Sequence, residues 1–198
     1  MLDPFQLLFP EPLVIGIITP VTIICIISFL YISGFFKLNN KIKTNYTRKL
    51  FHILVFTGAG AIGFFFDHRA VMFYGGITGL IMIYVLHLGE GHILFEGIAR
   101  EQDEPHRRFY IGVPLICTAL GGLVNSYLFG SLAIVGYLVG GWGDAIGEPV
   151  GVRFGKHRYK VPSLRNVHCE RSLDGSIAIA LMSTLAVIVG LWLIGCCG

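Results

Sequence analysis

The sequence predicts an all-α integral membrane bundle of about six transmembrane helices, with its active-site loops on the cytoplasmic side. Three observations predict it. Hydrophobic residues make up 54% of the 198 residues and charged residues only 14%, against about 25% charged in a soluble domain. Mean hydropathy is +0.72. The apolar residues also gather into runs of the ~20 residues that a bilayer crossing needs.

Those runs are 13–36, 50–66, 70–88, 110–129, 131–150 and 175–195. The first is too long for the apolar region of a signal peptide, and Asp3 and Glu11 precede it where a basic stretch would be. It reads as a true helix bent at Pro20. The turns after the second and fourth runs are short, at 67–69 and at Gly130, and the other connections are long. No repeat, low-complexity tract or soluble domain interrupts the pattern, so residues 1–198 form a single domain.

Charge placement orients the bundle. Lys37, Lys41, Lys43, Arg48 and Lys49 lie at the first long connection, and Arg100, Arg107 and Arg108 at the second. Arg153, Lys156, Arg158, Lys160, Arg165 and Arg171 lie at the third, and Arg69 alone is on the other side. Cytoplasmic loops carry the excess of Lys and Arg, so both termini are predicted on the non-cytoplasmic side. The five cysteines form no framework: Cys25 and Cys117 sit in spans, Cys169 in a loop, and Cys196 and Cys197 end the chain.

The fifth run ends in "GGWGDAIGEPVGVRFGKHRY", 140–159, which holds Asp144 and Glu148 on one helical face. A carboxylate at membrane depth costs roughly 2.5–3.5 kcal/mol, so it needs a partner or a task. With the helix ending near Val150, Asp144 lies about 9 Å below that end at ~1.5 Å per residue. Gly140, Gly143, Gly147, Gly151 and Gly155 would let a ligand or another backbone come close. Pro149 would free the Ala145 carbonyl. Such an oxygen-rich pocket suits Mg²⁺ that arrives with phosphates. The structural alternative is an ion pair with Arg48, Lys49 or Arg171 and ordinary glycine packing.

Three further segments carry charge. "NYTRKLFHIL", 45–54, puts Arg48 and His52 on one face, with Lys49 at the boundary. "RSLDGS", 171–176, opens the last helix, where Ser172 or Asp174 would cap and Arg171 would favour phosphate. "HLGEGHILFEGIAREQDEPHRR", 87–108, holds His87, Glu90, His92 and Glu96 but no HExxH. It reads as an interfacial amphipathic segment that would gate a lipid substrate. His68, His106, His157 and His168 read as loop residues. There is no P-loop motif and no protein-kinase signature set.

"GDAIGEPVGVRFG" resembles the DxxAxxxGxxxG motif of the polyprenol kinase family, which includes dolichol, phytol and farnesol kinases and a CTP-dependent diacylglycerol kinase. The motif falls on Asp144, Gly147, Gly151 and Gly155. "RSLDGS" is similar to that family's KKTxEGS-type element, and "RKLFH", 48–52, to its upstream RKxxH element. Gly147 replaces the usual alanine, Asp174 the common Glu and Arg171 the frequent Lys. The resemblance implies phosphoryl transfer from a nucleoside triphosphate, usually CTP, to a lipid hydroxyl.

It implies roles as well. Asp144, with Glu148, would hold Mg²⁺. Arg48, Lys49, Lys156 and Arg171 would neutralise triphosphate oxygens. Ser172 would contact a phosphate, and Gly147, Gly151 and Gly155 would admit the nucleotide. Asp174 would accept the alcohol proton or hold a second metal, and His52 would support the site from behind. Phytol, farnesol, polyprenol and diacylglycerol all stay open as the alcohol, and the glycine faces admit a homodimer.

Three rival readings are carried. A phosphatidate cytidylyltransferase-like enzyme would use the same CTP and Mg²⁺ but release pyrophosphate; its His-Gly-Gly and DRxD-type signature does not occur in the chain. A transporter would place Asp144 and Glu148 as ion ligands, near the midplane of repeated halves. A scaffold would bind no nucleotide.

Overall fold

The computed structural model describes residues 9–162 and 170–197. Asp3, Arg165, His168 and Cys169 lie outside the described residues, as does the side chain of Cys197. The elements are α1 (Pro12–Asn40), α2 (Thr44–Phe65), α3 (His68–Leu88), the single-turn α4 (Ile93–Glu96), α5 (Arg107–Phe129), α6 (Ala133–Phe154), β1 (Arg158–Lys160), β2 (Glu170–Ser172) and α7 (Leu173–Cys197). Five helical stretches are long and apolar enough to cross a membrane, with Arg107–Phe154 counting as one stretch of 48 residues.

Gly130 breaks that long stretch. Its φ of +53° is a conformation that side-chain-bearing residues rarely adopt. The chain doubles back there, so α5 and α6 run antiparallel. Tyr137 Oη donates to the Gly122 carbonyl at 3.0 Å, and Asn125 Nδ2 to the Ala133 carbonyl at 2.9 Å. At the matching turn between α2 and α3, Asp67 caps α3 by accepting from the Ala70 amide at 2.9 Å.

Two helix ends lie further on than expected. The first helix continues through Pro20 to Asn40, where Lys41 ends it in a left-handed cap with its amide bonded to the Phe36 carbonyl. The fifth predicted span runs on through Pro149 to Phe154. Asp144 is therefore about 15 Å from that helix end at ~1.5 Å per residue, not 9 Å. The architecture is the expected all-α bundle, with one short hairpin beside it in which β1 and β2 pair antiparallel, Tyr159 opposite Arg171.

The bundle carries its apolar residues on both sides. Inside, Ile26, Leu30, Val85 and Phe95 are fully enclosed. Outside, α7 exposes Ile177, Leu181, Ile188, Leu191 and Trp192. Water would not tolerate so broad an apolar surface, whereas lipid would.

The 89–106 connection is clamped into the bundle, against the expectation of an interfacial gate. Phe95, Ile98 and Ala99 are buried. A Cβ on Gly97 would come within 2.7 Å of the Gly34 amide nitrogen, so the turn lies directly on α1. Glu96 locks it there, taking Arg107 Nη2 at 2.6 Å and Lys37 Nζ at 3.0 Å. Lys37 also donates to the Ala99 carbonyl at 2.8 Å. His92 Nδ1 accepts from the Leu94 amide at 3.3 Å. Among the described residues, no group of three or more His, Cys, Asp or Glu is arranged to hold a metal.

Burial alone would raise the Glu96 pKa. The hydrogen bonds from Arg107, the Gly91 amide and Lys37 outweigh it and hold the carboxyl at about 2. An acid with a depressed folded-state pKa stabilises the fold fully above its unfolded value, and that stability is lost as pH falls through the folded value. Glu96→Gln should therefore lower the Tm in detergent by about 4 °C or more at pH 7. The gap to wild type should narrow as pH is taken from 4.5 towards 2, and thermal unfolding across that range reads it directly.

Gly143, Gly147 and Gly151 of α6 face α7 and the residue before it. A Cβ on Gly147 would collide with Ile179, and one on Gly151 would meet Ser172 Oγ at 2.9 Å. Gly140 faces open space. Gly147→Leu should thus cost about 1–3 kcal/mol through overpacking, while Gly140→Ala leaves the Tm within error. Parallel thermal melts check this contrast.

Candidate active site

The site grows from the geometry of α6. Gly143, Gly147 and Gly151 repeat every fourth residue and give α6 a flat face for α7. Asp144 and Glu148 sit one residue further round, about 100° away, and that face meets α2. There the sequence offers Lys49 and His52, three residues apart on adjoining turns.

Lys49 Nζ lies 2.6 Å from Asp144 Oδ2 and 3.4 Å from Glu148 Oε2. His52 Nε2 is 3.5 Å from the same Asp144 oxygen, and its ring packs 4.6 Å from that of Phe56. Arg100 Nη1 reaches Glu148 Oε1 at 3.4 Å, while its Nε holds Asp103 at 2.9 Å. Burial by itself would lower the Arg100 pKa; the bonds and charges of Asp103 and Glu148 raise it instead, so it is a fixed cation. Arg48 lies in the field of Arg100, Glu148 and Asp144. Lys49 is only 4% exposed and Asp144 is 48% exposed. The pair therefore has one dry side, held by lysine, and one open side.

The open side faces a cavity of about 520 Å³. Arg48, His52 and Asp144 line its polar end. Most of the rest is apolar, with Phe51, Val55, Met82 and Leu115 among the walls and a few hydroxyls such as Thr78 and Thr118 between them. Along α2 the lining extends from Arg48 to Ala59, about 16 Å at ~1.5 Å per residue. Gly75, Gly76 and Gly79 of α3 also line it, and a Cβ on any of them would meet nothing within 4 Å. The chamber thus has a charged mouth and a long oily body.

The remaining sequence-predicted residues sit beyond the end of α6, around the hairpin. Ser172 Oγ accepts from the Gly175 amide at 3.1 Å and so caps the start of α7. Asp174 accepts from the Lys156 amide at 2.9 Å, tying the hairpin to α7. Lys156 and Arg171 are exposed. Gly155, like Gly151, packs on Ser172.

All three motif segments therefore converge on α6. The first touches it through Lys49 and His52, the third through Ser172 and Gly175. The convergence is not on one point, because Asp174 does not line the chamber and instead has a structural bond. At Gly147, Gly151 and Gly155 the side-chain direction is occupied by Ile179 of α7 and by Ser172. Sequence reading passed over Arg100 and the groove glycines. A lone arginine following the apolar "ILFEGIA", and a "GGITG" within an apolar helix, are the signals that marked them.

A magnesium ion is usually held by one or two carboxylates together with substrate phosphates. Asp144 and Glu148 match that protein share: Asp144 lines the open chamber, and Glu148, one turn on, shares Lys49 with it and pairs with Arg100. Among the described residues, no third His, Cys, Asp or Glu joins them in a metal-holding group.

Among curated proteins, the chain is similar to a phytol kinase from Synechocystis, 33% identical over 85 residues. The match covers 41% of this chain and 34% of that relative, so it spans about a third of the relative's length. No family model matches the chain, and no solved structure does.

Proposed function

We propose that this chain phosphorylates a membrane lipid alcohol, with a nucleoside triphosphate as donor and CTP the donor implied by the family resemblance. The observation that carries this reading is the chamber's split character. A charged end with Arg48, His52 and Asp144 adjoins a mainly apolar body. A lipid alcohol has the same division, with a reactive hydroxyl on a hydrocarbon tail. The partial likeness to a phytol kinase supports the same class of chemistry.

In the proposed reaction the alcohol oxygen attacks the γ-phosphorus. The new P–O bond forms as the bond to the β-phosphate oxygen breaks, and the nucleoside diphosphate leaves. The hydroxyl proton passes to the Asp144–His52 pair, which lies at the polar end where the hydroxyl would stop. Asp144 and Glu148 would hold Mg²⁺, which when bound neutralises charge on the phosphates. Arg48 and Arg100 add positive charge at the same mouth. Lys156 and Arg171, exposed near the end of α6, would meet the outer part of the nucleotide. The apolar walls exclude water, so transfer to the alcohol prevails over hydrolysis. By the positive-inside pattern the mouth faces the cytoplasm, where nucleotide is available.

Asp144→Asn removes one negative charge while keeping shape. Its transfer rate to alcohol should fall by at least about 100-fold, read as labelled lipid formed by purified protein; full turnover by this variant would remove Asp144 from the chemistry. Gly79→Leu tests the tail site. A side chain there would enter open space, so the fold should hold. The KM for the alcohol should rise roughly tenfold or more while nucleotide affinity stays the same. Paired alcohol and nucleotide titrations separate the two effects.

A further inference from the structure

Resting on the phosphotransfer reading, the geometry points to a second role for Lys49: we propose that its ammonium is a built-in stand-in for the metal, which holds the Asp144–Glu148 pair closed until a nucleotide draws it away. The ammonium lies 2.6 Å from one carboxylate and 3.4 Å from the other. It therefore stands between the two carboxylates that would hold a divalent ion. The side chain is 4% exposed, and these two carboxylates are its ion-pair partners among the described residues.

Two cations cannot share that position. A divalent ion brought within a few ångström of a fixed ammonium is repelled strongly in so dry a setting. Metal entry therefore requires Lys49 to swing out on its flexible stem. Leaving it without a counter-charge in an apolar bundle would be costly. An arriving triphosphate supplies that counter-charge at the same mouth, beside Arg48. Metal alone then binds poorly, and phosphate and metal load together. Such coupling is reciprocal: whatever frees Lys49 favours the metal, and the metal favours whatever receives Lys49. Arg100 differs, because its second bond to buried Asp103 pins it in place. Glu148 keeps that partner while Lys49 moves.

The test uses Mn²⁺ alone, followed by electron paramagnetic resonance on the purified full chain in detergent, with no nucleotide present. Lys49→Met should bind Mn²⁺ at least about tenfold more tightly than wild type. Lys49→Arg, which retains the charge, should bind as weakly as wild type. Adding Asp144→Asn to Lys49→Met should abolish the gain. Equal or weaker Mn²⁺ binding by Lys49→Met overturns the proposal. A second measurement needs no variant: reductive methylation of Lys49 in wild type, quantified on its peptide, should increase several-fold when Mn²⁺ is raised to saturation. An unchanged rate also overturns the proposal. The underlying reading fails separately. A wild type that phosphorylates lipid alcohol while Lys49→Met binds Mn²⁺ no better rejects only the stand-in. Tighter Mn²⁺ binding by Lys49→Met in a protein without transfer activity rejects only the kinase.

Discussion

A carboxylate inside an apolar bundle must find a cation, and for Asp144 that cation is Lys49. The contact fixes more than one pair of side chains. It sets the depth at which α2 meets α6 and the rotation of both helices, and it brings His52 to the same oxygen. Glu148 extends the pairing through Arg100 to Asp103, so a loop residue is tied to the helix core. A similar logic applies at the Lys37–Glu96–Arg107 cluster, which clamps the 89–106 connection onto α1. Charge pairing in a dry setting acts as the bundle's register.

Helix α6 is the spine because it presents two different faces. Its glycines let α7 approach to backbone distance, while its acids, one step round, meet α2. One short motif thus combines close packing with charge. The glycines serve the chemistry indirectly. They seat α7 and the hairpin on the end of α6, and so fix Ser172, Asp174 and Lys156 there.

Much of this was legible in the sequence. The apolar runs marked the long helices because a span needs an unbroken stretch of about 20 residues. The isolated acids marked the site because charge at that depth is costly. Helix ends were less legible: α6 runs on to Phe154, since a proline near a helix end need not terminate it. The short strands β1 and β2 carry no alternating pattern, and their pairing depends on a contact between distant segments. The amphipathic look of 87–108 was ambiguous, because burial against α1 depends on Gly34 and Gly97 facing each other across the fold. Spacing located the glycines of α6 but not what they face, and it offered both Ser172 and Asp174 as caps without showing that Ser172 takes the Gly175 amide and Asp174 the Lys156 amide.

The function proposed for the chamber reduces to one chemical claim, that a terminal phosphoryl group moves to a lipid hydroxyl. Following the label in CTP tests this most directly. Purified protein is given a lipid alcohol panel of phytol, farnesol, a polyprenol and diacylglycerol, with CTP carrying ³²P at either the γ or the α position. The account predicts that γ-label appears on one of the alcohols and α-label stays with the released nucleoside diphosphate. Transfer of α-label to lipid, with pyrophosphate released, or no labelled lipid from any pair, would contradict it.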